Sequence, residues 1–257
     1  MKRLYYPTIV EQKQIAENIF SMKLQCGEIA ETALSGQFVN LYSKEKDMLL
    51  PRPISICEID KKEGIITLVY AVVGRGTESF SHLKKGDTIK VLGPLGNGFK
   101  MEEGITVHML VGGGIGVPPL VELSKHLKGK VYAFLGFAEH PILVKELESY
   151  GAEVFVATED GSVGFKGNVV ELLNKKDIKG DMIYSCGPKP MLRAVSKWAG
   201  ERGIGAQVSM EERMACGIGV CLGCTCKTKK ENEKDWQNRK VCTDGPVFWS
   251  EEVIWDE

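Results

Sequence analysis

A change of rhythm near residue 103 limits the possible folds more than any other feature of this sequence. From there to about 206, short apolar runs alternate with amphipathic ones. "ITVHMLVGGG" reads as a buried strand ending in glycines, and "VPPLVELSKHLKG" as a helix that stops at Gly129. "KVYAFLGF", "EVFVATED" and "DMIYSCG" read as further strands. "PILVKELESYG", "NVVELLNK" and "KPMLRAVSKWAGERG" supply the helices that follow them. Strand–helix alternation of this kind predicts a parallel sheet with helices on both faces.

The residues before this point keep a different beat. "GQFVNLY", "ISICEID", "GIITLVYAVV" and "DTIKVLGPLG" are short alternating or β-branched runs separated by Gly, Pro and Asp-Lys clusters. They predict an antiparallel barrel or sandwich. "VGRGTESFSHL" interrupts them as a loop entering a short helix. The expected architecture is therefore multidomain, β plus α/β. An antiparallel β-barrel covers 1–102, a parallel-sheet α/β domain covers 103–206, and a small C-terminal module covers 207–257. In that module the polar stretch "KTKKENEKDWQNRK" reads as a solvated hairpin tip.

Composition narrows the setting. With 257 residues, 43% hydrophobic and 26% charged, the chain fits a soluble globular protein. Its net charge of −1 gives no bulk attraction to nucleic acid or to an anionic membrane. No apolar run reaches the ~18 residues of a membrane span. The start, "MKRLYYPTIVEQKQ", turns charged before a signal core could form. The cytoplasm is the expected compartment, and thiols stay reduced there.

Clustered cysteines in such a place point to metal or redox work. Cys216, Cys221 and Cys224 stand as C-x4-C-x2-C, and Cys242 follows at a distance. A [2Fe–2S] cluster needs four thiolates, two on each iron, and this spacing is the plant-type solution. Glycines at 217, 219 and 223 let the loop wrap around it. A zinc site is the alternative. Zinc ribbons usually pair two short knuckles, whereas here three cysteines share one loop. Cys226 reads as a packed thiol pointing away from the cluster, and Cys26 and Cys57 as core residues.

Two further loops suggest a nucleotide. "VGGGIGVPP", residues 111–119, follows a strand and opens a helix, a place where a pyrophosphate can meet backbone N–H groups. It departs from G-x-G-x-x-G, and a tight connection without ligand is the competing reading. "SCGPKPML" puts Cys-Gly-Pro at the end of a later strand, on the same expected sheet edge. A third strand ends in "ATEDGS". Glu159 and Asp160 there would accept hydrogen bonds from ribose hydroxyls and repel a 2′-phosphate, favouring NAD over NADP. The competing reading leaves both acids facing water. A cluster passes one electron at a time and a nicotinamide takes a hydride, so a chain holding both calls for a flavin between them.

The stretch "RPISI" at 52–56 offers a place. Arg52 could pair with a phosphate, and Ser55 could bond a heterocycle edge. The ordered set R-x-x-S, "GRGT" at 74–77, "GGGIG" before a helix and "CGP" resembles the ferredoxin–NADP reductase-like flavoproteins. In that family a β-barrel binds FAD and a second domain binds the nicotinamide nucleotide. The added cysteine module, with "GQFVNL", "GPLGNGF", "MEERMACGIGVCLGC" and "DGPVF", is similar to the electron-transfer subunits of NAD-dependent (class 1B) dihydroorotate dehydrogenase, nearly end to end.

The resemblance implies site residues. Arg52 would hold the FAD pyrophosphate, with Pro53, Ile54 and Ser55 beside it and Ser55 near the flavin ring. Val69, Tyr70 and Ala71 would complete the flavin site. Many relatives carry an aromatic residue two places after the arginine. This chain has Ile54, so Tyr70 becomes the candidate stacking partner. Gly76 and Thr77 would contact the flavin nucleotide at a helix N-terminus. Gly113, Gly114, Gly116 and Val117 would line the NAD pyrophosphate site, and Cys186, Gly187 and Pro188 would approach the nicotinamide. The cofactors expected are FAD, [2Fe–2S] and NAD.

No residue set looks built to oxidise an organic substrate, so no catalytic residue is assigned. The resemblance implies an FMN-containing dihydroorotate dehydrogenase catalytic subunit as partner, in a 2+2 heterotetramer serving pyrimidine biosynthesis. Electrons would pass from dihydroorotate to FMN, then to the cluster, FAD and NAD⁺. Related reductases serving ferredoxin, polysulfide or a hydrogenase share every motif used. A redox-sensing or zinc-stabilised binding protein is the alternative from another class.

Overall fold

The structure is a computed structural model and describes residues 3–45, 47–229 and 235–255. The alternating runs of the first zone form β1 (Arg3–Tyr5), β2 (Thr8–Ala16), β3 (Ile19–Gln25), β4 (Phe38–Tyr42), β5 (Arg52–Asp60), β6 (Ile65–Ala71) and β7 (Lys90–Leu95). Helix α1 (Gly27–Thr32) lies between β3 and β4, and α2 (Arg75–Ser81) between β6 and β7. The strands pair antiparallel in the order β1-β7-β4-β5-β6-β3-β2. Residues just before β7 close the barrel onto β2: Ile9 N–H donates to Asp87 O and Gly86 N–H to Ile9 O, each at 2.8 Å. Period-2 alternation turns Ile9, Met22, Leu24, Ile56 and Leu68 inward, and Phe80 of α2 is buried in the same core.

The second zone gives β8 (Val107–Gly113), a 3-10 turn (Gly114–Gly116), α3 (Pro118–Ser124), β9 (Lys130–Phe137), α4 (Val144–Ser149), β10 (Glu153–Thr158) and β11 (Phe165–Lys166). It continues with α5 (Val169–Lys176), β12 (Met182–Cys186), α6 (Lys189–Arg202) and β13 (Gly205–Ser209). Helix α3 ends at Ser124 rather than running toward Gly129. There the chain tightens, with His126 N–H bonding Leu123 O at 3.0 Å. Asn168 and Glu171 start α5 with a reciprocal capping box.

The last segment adds β14 (Thr225–Thr228), β15 (Gln237–Lys240) and β16 (Val247–Trp249). β14 and β15 form an antiparallel hairpin that takes up both ends of the stretch expected as its tip, of which residues 230–234 lie outside the described residues. The second sheet runs β11-β10-β9-β8-β12-β13-β16, parallel except for β16. The expected break after residue 206 thus falls inside β13. The strand order reverses between β8 and β12, which opens a crevice at their carboxyl ends.

Barrel and α/β sheet share a core in which Cys57, Val69 and Phe99 pack with Leu110, Val117 and Leu120. One buried carboxylate also crosses between them. Glu122 of α3 accepts from Ile59 N–H of β5 at 2.7 Å, from Lys125 Nζ at 2.9 Å and from His126 Nε2 at 2.8 Å. Among the described residues no helix is long and apolar enough to cross a membrane.

Candidate functional site

The cysteine loop is shaped by left-handed backbone at Gly217, Gly219 and Leu222, with φ of 68°, 87° and 58°. Gly217 is also pressed against the barrel: a Cβ there would lie 2.2 Å from Asn40 Nδ2. That amide donates to Cys216 O at 3.3 Å and docks the loop on β4. The Cys216 sulfur accepts from Ile218 N–H at 3.4 Å and Cys221 N–H at 3.5 Å. Burial raises the Cys216 pKa, but these N–H donors outweigh it and bring the thiol down to about 6.

Val241 N–H donates to Cys224 O at 2.8 Å and carries Cys242 to Cys224. Burial and then the hydrogen-bonded Cys224 thiol push Cys242 up to about 11. The thiols are therefore linked as two pairs, Cys216 with Cys221 and Cys224 with Cys242. No three His, Cys, Asp or Glu side chains among the described residues converge as they would about one metal ion. Two thiols for each of two irons fits these pairs and the C-x4-C-x2-C spacing. Cys226 is buried on β14, its thiol pushed up to about 11 by burial, and Cys26 and Cys57 lie in the core.

The flavin motif lies next to that loop. In the β4–β5 register Asn40 faces Pro53 and Leu41 faces Arg52. Arg52 donates to Leu50 O at 2.8 Å, and its guanidinium lies over Gly76, where a Cβ would come within 2.5 Å of Nε. An anion between Arg52 and the open first turn of α2 would meet both a cation and free N–H groups. The Thr77 hydroxyl is already used: it accepts from Val73 N–H and donates to Gly74 O, both at 3.0 Å. Its side chain shapes the turn, so a contact to a ligand would fall to its backbone.

Tyr70 does not offer a stacking face. Its ring is 1% exposed inside the barrel, stacked on Phe20 at 6.0 Å and edge-on to Phe80 at 6.3 Å, with Gln12 donating to its hydroxyl at 3.0 Å. Burial raises its pKa to about 12. The reason is pleat alternation along β6, which turns Tyr70 inward and Val69 toward the second domain. Ile54 is buried in the barrel in the same way, leaving Pro53 and Ser55 on the outer side of β5.

The two glycine loops meet at the crevice. A Cβ on Gly116 would lie 2.4 Å from Cys186 O, and one on Gly187 would lie 3.0 Å from Gly113 N. Backbone packs directly on backbone there, which only glycine permits. Ser185 Oγ donates to Val111 O at 3.0 Å and ties the strands below. Gly114, with φ of 52°, faces open space and leaves room for a phosphate. Val117 is fully buried beneath the turn and supports it from below. Burial holds the Cys186 thiol at about 12, so it stays neutral beside the crevice. β6 contacts the 3-10 turn, which brings together the strand expected at the flavin and the turn expected at the nucleotide.

Glu159 is exposed just past β10. Asp160 instead accepts from Ser162 N–H at 3.0 Å and Ser162 Oγ at 2.8 Å, and these bonds lower its pKa. It builds its own turn, so the ribose-binding reading rests on Glu159.

Residues 7–99 match the oxidoreductase FAD-binding domain, and residues 211–254 match the iron-sulfur cluster binding domain of dihydroorotate dehydrogenase B. The chain is 40% identical over 247 residues to the dihydroorotate dehydrogenase B (NAD(+)) electron transfer subunit of Caldanaerobacter subterraneus, covering 96% of each. It belongs to that family of electron-transfer subunits. The Streptococcus mutans subunit is 43% identical over 256 residues, covering 97% of each chain.

A chain of the NADH-dependent reduced ferredoxin-NADP oxidoreductase superposes with a TM-score of 0.86 at 30% identity, covering 98% of this chain and 90% of that one. A ferredoxin NADP+ reductase from Neisseria gonorrhoeae shares the fold, with a TM-score of 0.64 at 16% identity over 78% of this chain and 92% of that one. The family thus combines a reductase-like barrel and α/β sheet with its own cluster domain, as the expected fold class has it. Sequence reasoning missed Asn40 and Glu122. Asn40 could have been found as a polar residue inside the apolar run "FVNLY", but Glu122 sits on a helix face that reads as ordinary surface.

Proposed function

We propose that this chain carries electrons between a partner protein that oxidises dihydroorotate to orotate and NAD⁺, as the electron-transfer subunit of a dihydroorotate dehydrogenase B. When bound, the cluster supplies single-electron transfer, the FAD exchange between single electrons and hydride, and the NAD⁺ a hydride acceptor. The observation that carries the reading is the Asn40–Pro53 register, which sets the anchor of the cysteine loop and the flavin motif one strand spacing apart, ~4.8 Å.

The residues divide the work. Cys216, Cys221, Cys224 and Cys242 hold the cluster, and the N–H groups of Ile218 and Cys221 hold negative charge on the Cys216 sulfur. Arg52 and the first turn of α2 bind the flavin phosphates. Gly113, Gly114 and Gly116 admit the NAD pyrophosphate, Glu159 accepts from its ribose, and Cys186, Gly187 and Pro188 wall the nicotinamide end. Ile218, Val220 and Leu222 on the cysteine loop are exposed, Val220 at 75%, and offer the catalytic subunit an apolar face beside the ligands. The assembly is two catalytic and two electron-transfer subunits.

The test is co-purification. An FMN protein should bind this chain, and the complex should reduce NAD⁺ with dihydroorotate while neither part does so alone. A complex with no such activity overturns the reading. The TM-score of 0.86 with the ferredoxin-NADP oxidoreductase chain favours ferredoxin as a second donor or acceptor. Reduction of ferredoxin by NADH, with no response to the FMN protein, would select it.

A further inference from the structure

The cysteine loop is fastened by groups that are not its ligands. Asn40 holds its start, at Cys216 O. A cation holds its middle: Lys240 Nζ donates to Gly219 O at 3.4 Å. Gly219 permits this close packing because it has no side chain and a φ of 87°. A Cβ there would lie 2.9 Å from Thr243 Cγ2 and 3.7 Å from Lys240 Nζ.

Lys240 ends β15 and opens the turn that carries Cys242. The N–H groups of Thr243, Asp244 and Gly245 donate to Lys240 O at 3.1, 2.7 and 3.3 Å and fix its backbone. The acid of this turn, Asp244, accepts from Lys240 N–H at 2.7 Å and from Thr243 Oγ1 at 3.3 Å, so its carboxylate is used in closing the turn. The Lys240 ammonium is directed at the cysteine loop instead.

Its acceptor is one end of a peptide whose other end is Val220 N–H. Against the effect of burial, Val220 N–H is among the donors that lower the Cys216 pKa. Gly219 N–H likewise opposes the burial that raises Cys242. Gly219 therefore stands between one thiol of each pair, and Lys240 grips it. A cation on the Gly219 carbonyl polarises the peptide and makes its N–H a stronger donor.

We propose that Lys240 is a positioning residue for the electron-transfer step: its ammonium, acting through the Gly219–Val220 peptide, stabilises the negative charge that the [2Fe–2S] cluster gains on reduction and so raises its potential. Reduction brings one electron to a centre that four thiolates already make negative, and charge and hydrogen bonds at the sulfurs set how readily it enters. A fixed cation nearby favours the more negative state. The cluster becomes a readier acceptor from a partner and a weaker donor to FAD. The inference rests on the cluster and not on the identity of the protein that feeds it.

The experiment is a redox titration of the anaerobic holoprotein without its partner, followed by electron paramagnetic resonance, with iron measured alongside. Lys240→Gln and Lys240→Met should each shift the one-electron equilibrium of the cluster toward the oxidised form by about threefold or more, which is about 28 mV. Lys240→Arg keeps the charge and should shift it by less. The FAD potential, read in the same titration, should move less than that of the cluster. If the methionine variant loses its iron, the glutamine variant decides. Four outcomes would overturn the proposal: a glutamine variant within about threefold of the parent, an arginine variant that falls as far as the glutamine one, equal shifts at cluster and FAD, or loss of iron from both neutral variants, which would make Lys240 a folding residue. Failure of the dihydroorotate reading would leave these values unchanged, so the two are told apart.

Discussion

Replacing Glu122 by alanine tests how the barrel is joined to the nucleotide domain. The carboxylate is 2% exposed and accepts three hydrogen bonds, one of them from Ile59 N–H across the domain boundary. Removing it orphans that buried N–H, at about 1–3 kcal/mol. Lys125 keeps Glu58 at 3.3 Å, so losing its second partner adds only about 1 kcal/mol. His126 is half-exposed and recovers water. The void left by the side chain adds about 1 kcal/mol, for a total of about 3–5 kcal/mol.

Glu122→Gln retains an acceptor for Ile59 and should lose about 1–2 kcal/mol. Burial depresses the Lys125 pKa, but Glu122 outweighs it and the net shift is upward. Its share of the stabilisation is therefore full below the unfolded lysine pKa of about 10.4 and fades as pH rises through the folded value. Urea unfolding of the holoprotein, followed by flavin fluorescence and circular dichroism, measures these losses. An alanine variant within about 1 kcal/mol of the parent, or a glutamine variant as weak as the alanine one, would refute the Ile59 bridge.

Other substitutions probe the remaining parts. Cys221→Ser should empty the cluster site, seen as lost iron and lost visible shoulders, and stop transfer from the partner while NADH-driven dye reduction persists; loss of both would contradict separate modules. Glu159→Arg should shift preference toward NADPH by about tenfold in kcat/KM. Asp160 should be left intact in that variant because it closes its own turn. Gly116→Ala drives a methyl to 2.4 Å from Cys186 O and should raise the KM for NADH, with about 1–3 kcal/mol lost in stability. Asp181 accepts from Thr106 N–H, Val107 N–H and Thr106 Oγ, which lowers its pKa. Its stabilisation is present above the unfolded value and disappears as pH falls through the folded one, so Asp181→Asn should flatten the acid limb of the stability–pH curve.

What could be read from the sequence follows from which signals are local. Strand period, helix period and the glycine turns are set by neighbours in the chain, so "ITVHMLVGGG" and "NVVELLNK" announce β8 and α5 directly. The cysteine spacing was equally plain. What stayed hidden depends on which face of a strand points where. Tyr70 looked available because the sequence does not say whether β6 turns it into the barrel or out of it; pairing with β3 and β5 decides that. The helix after Pro118 reads as longer because its apolar spacing carries on to Leu127, whereas α3 ends at Ser124. The burial of Glu122 against Ile59 is a long-range contact that periodicity cannot register. Asn40 became informative only once Cys216 was seen above it.

Strand β16 completes the edge of the nucleotide sheet, although it lies beyond the last cluster thiol in the chain. A ribosome therefore releases the whole cysteine segment before the dinucleotide-binding sheet can gain its final strand. The cluster loop cannot be trimmed away as an appendage: any chain ending before Val247 would expose β13 as a bare edge, open to pairing with other molecules. Maturation of the iron centre and closure of the NAD domain are in this way tied to the same late stretch of polypeptide.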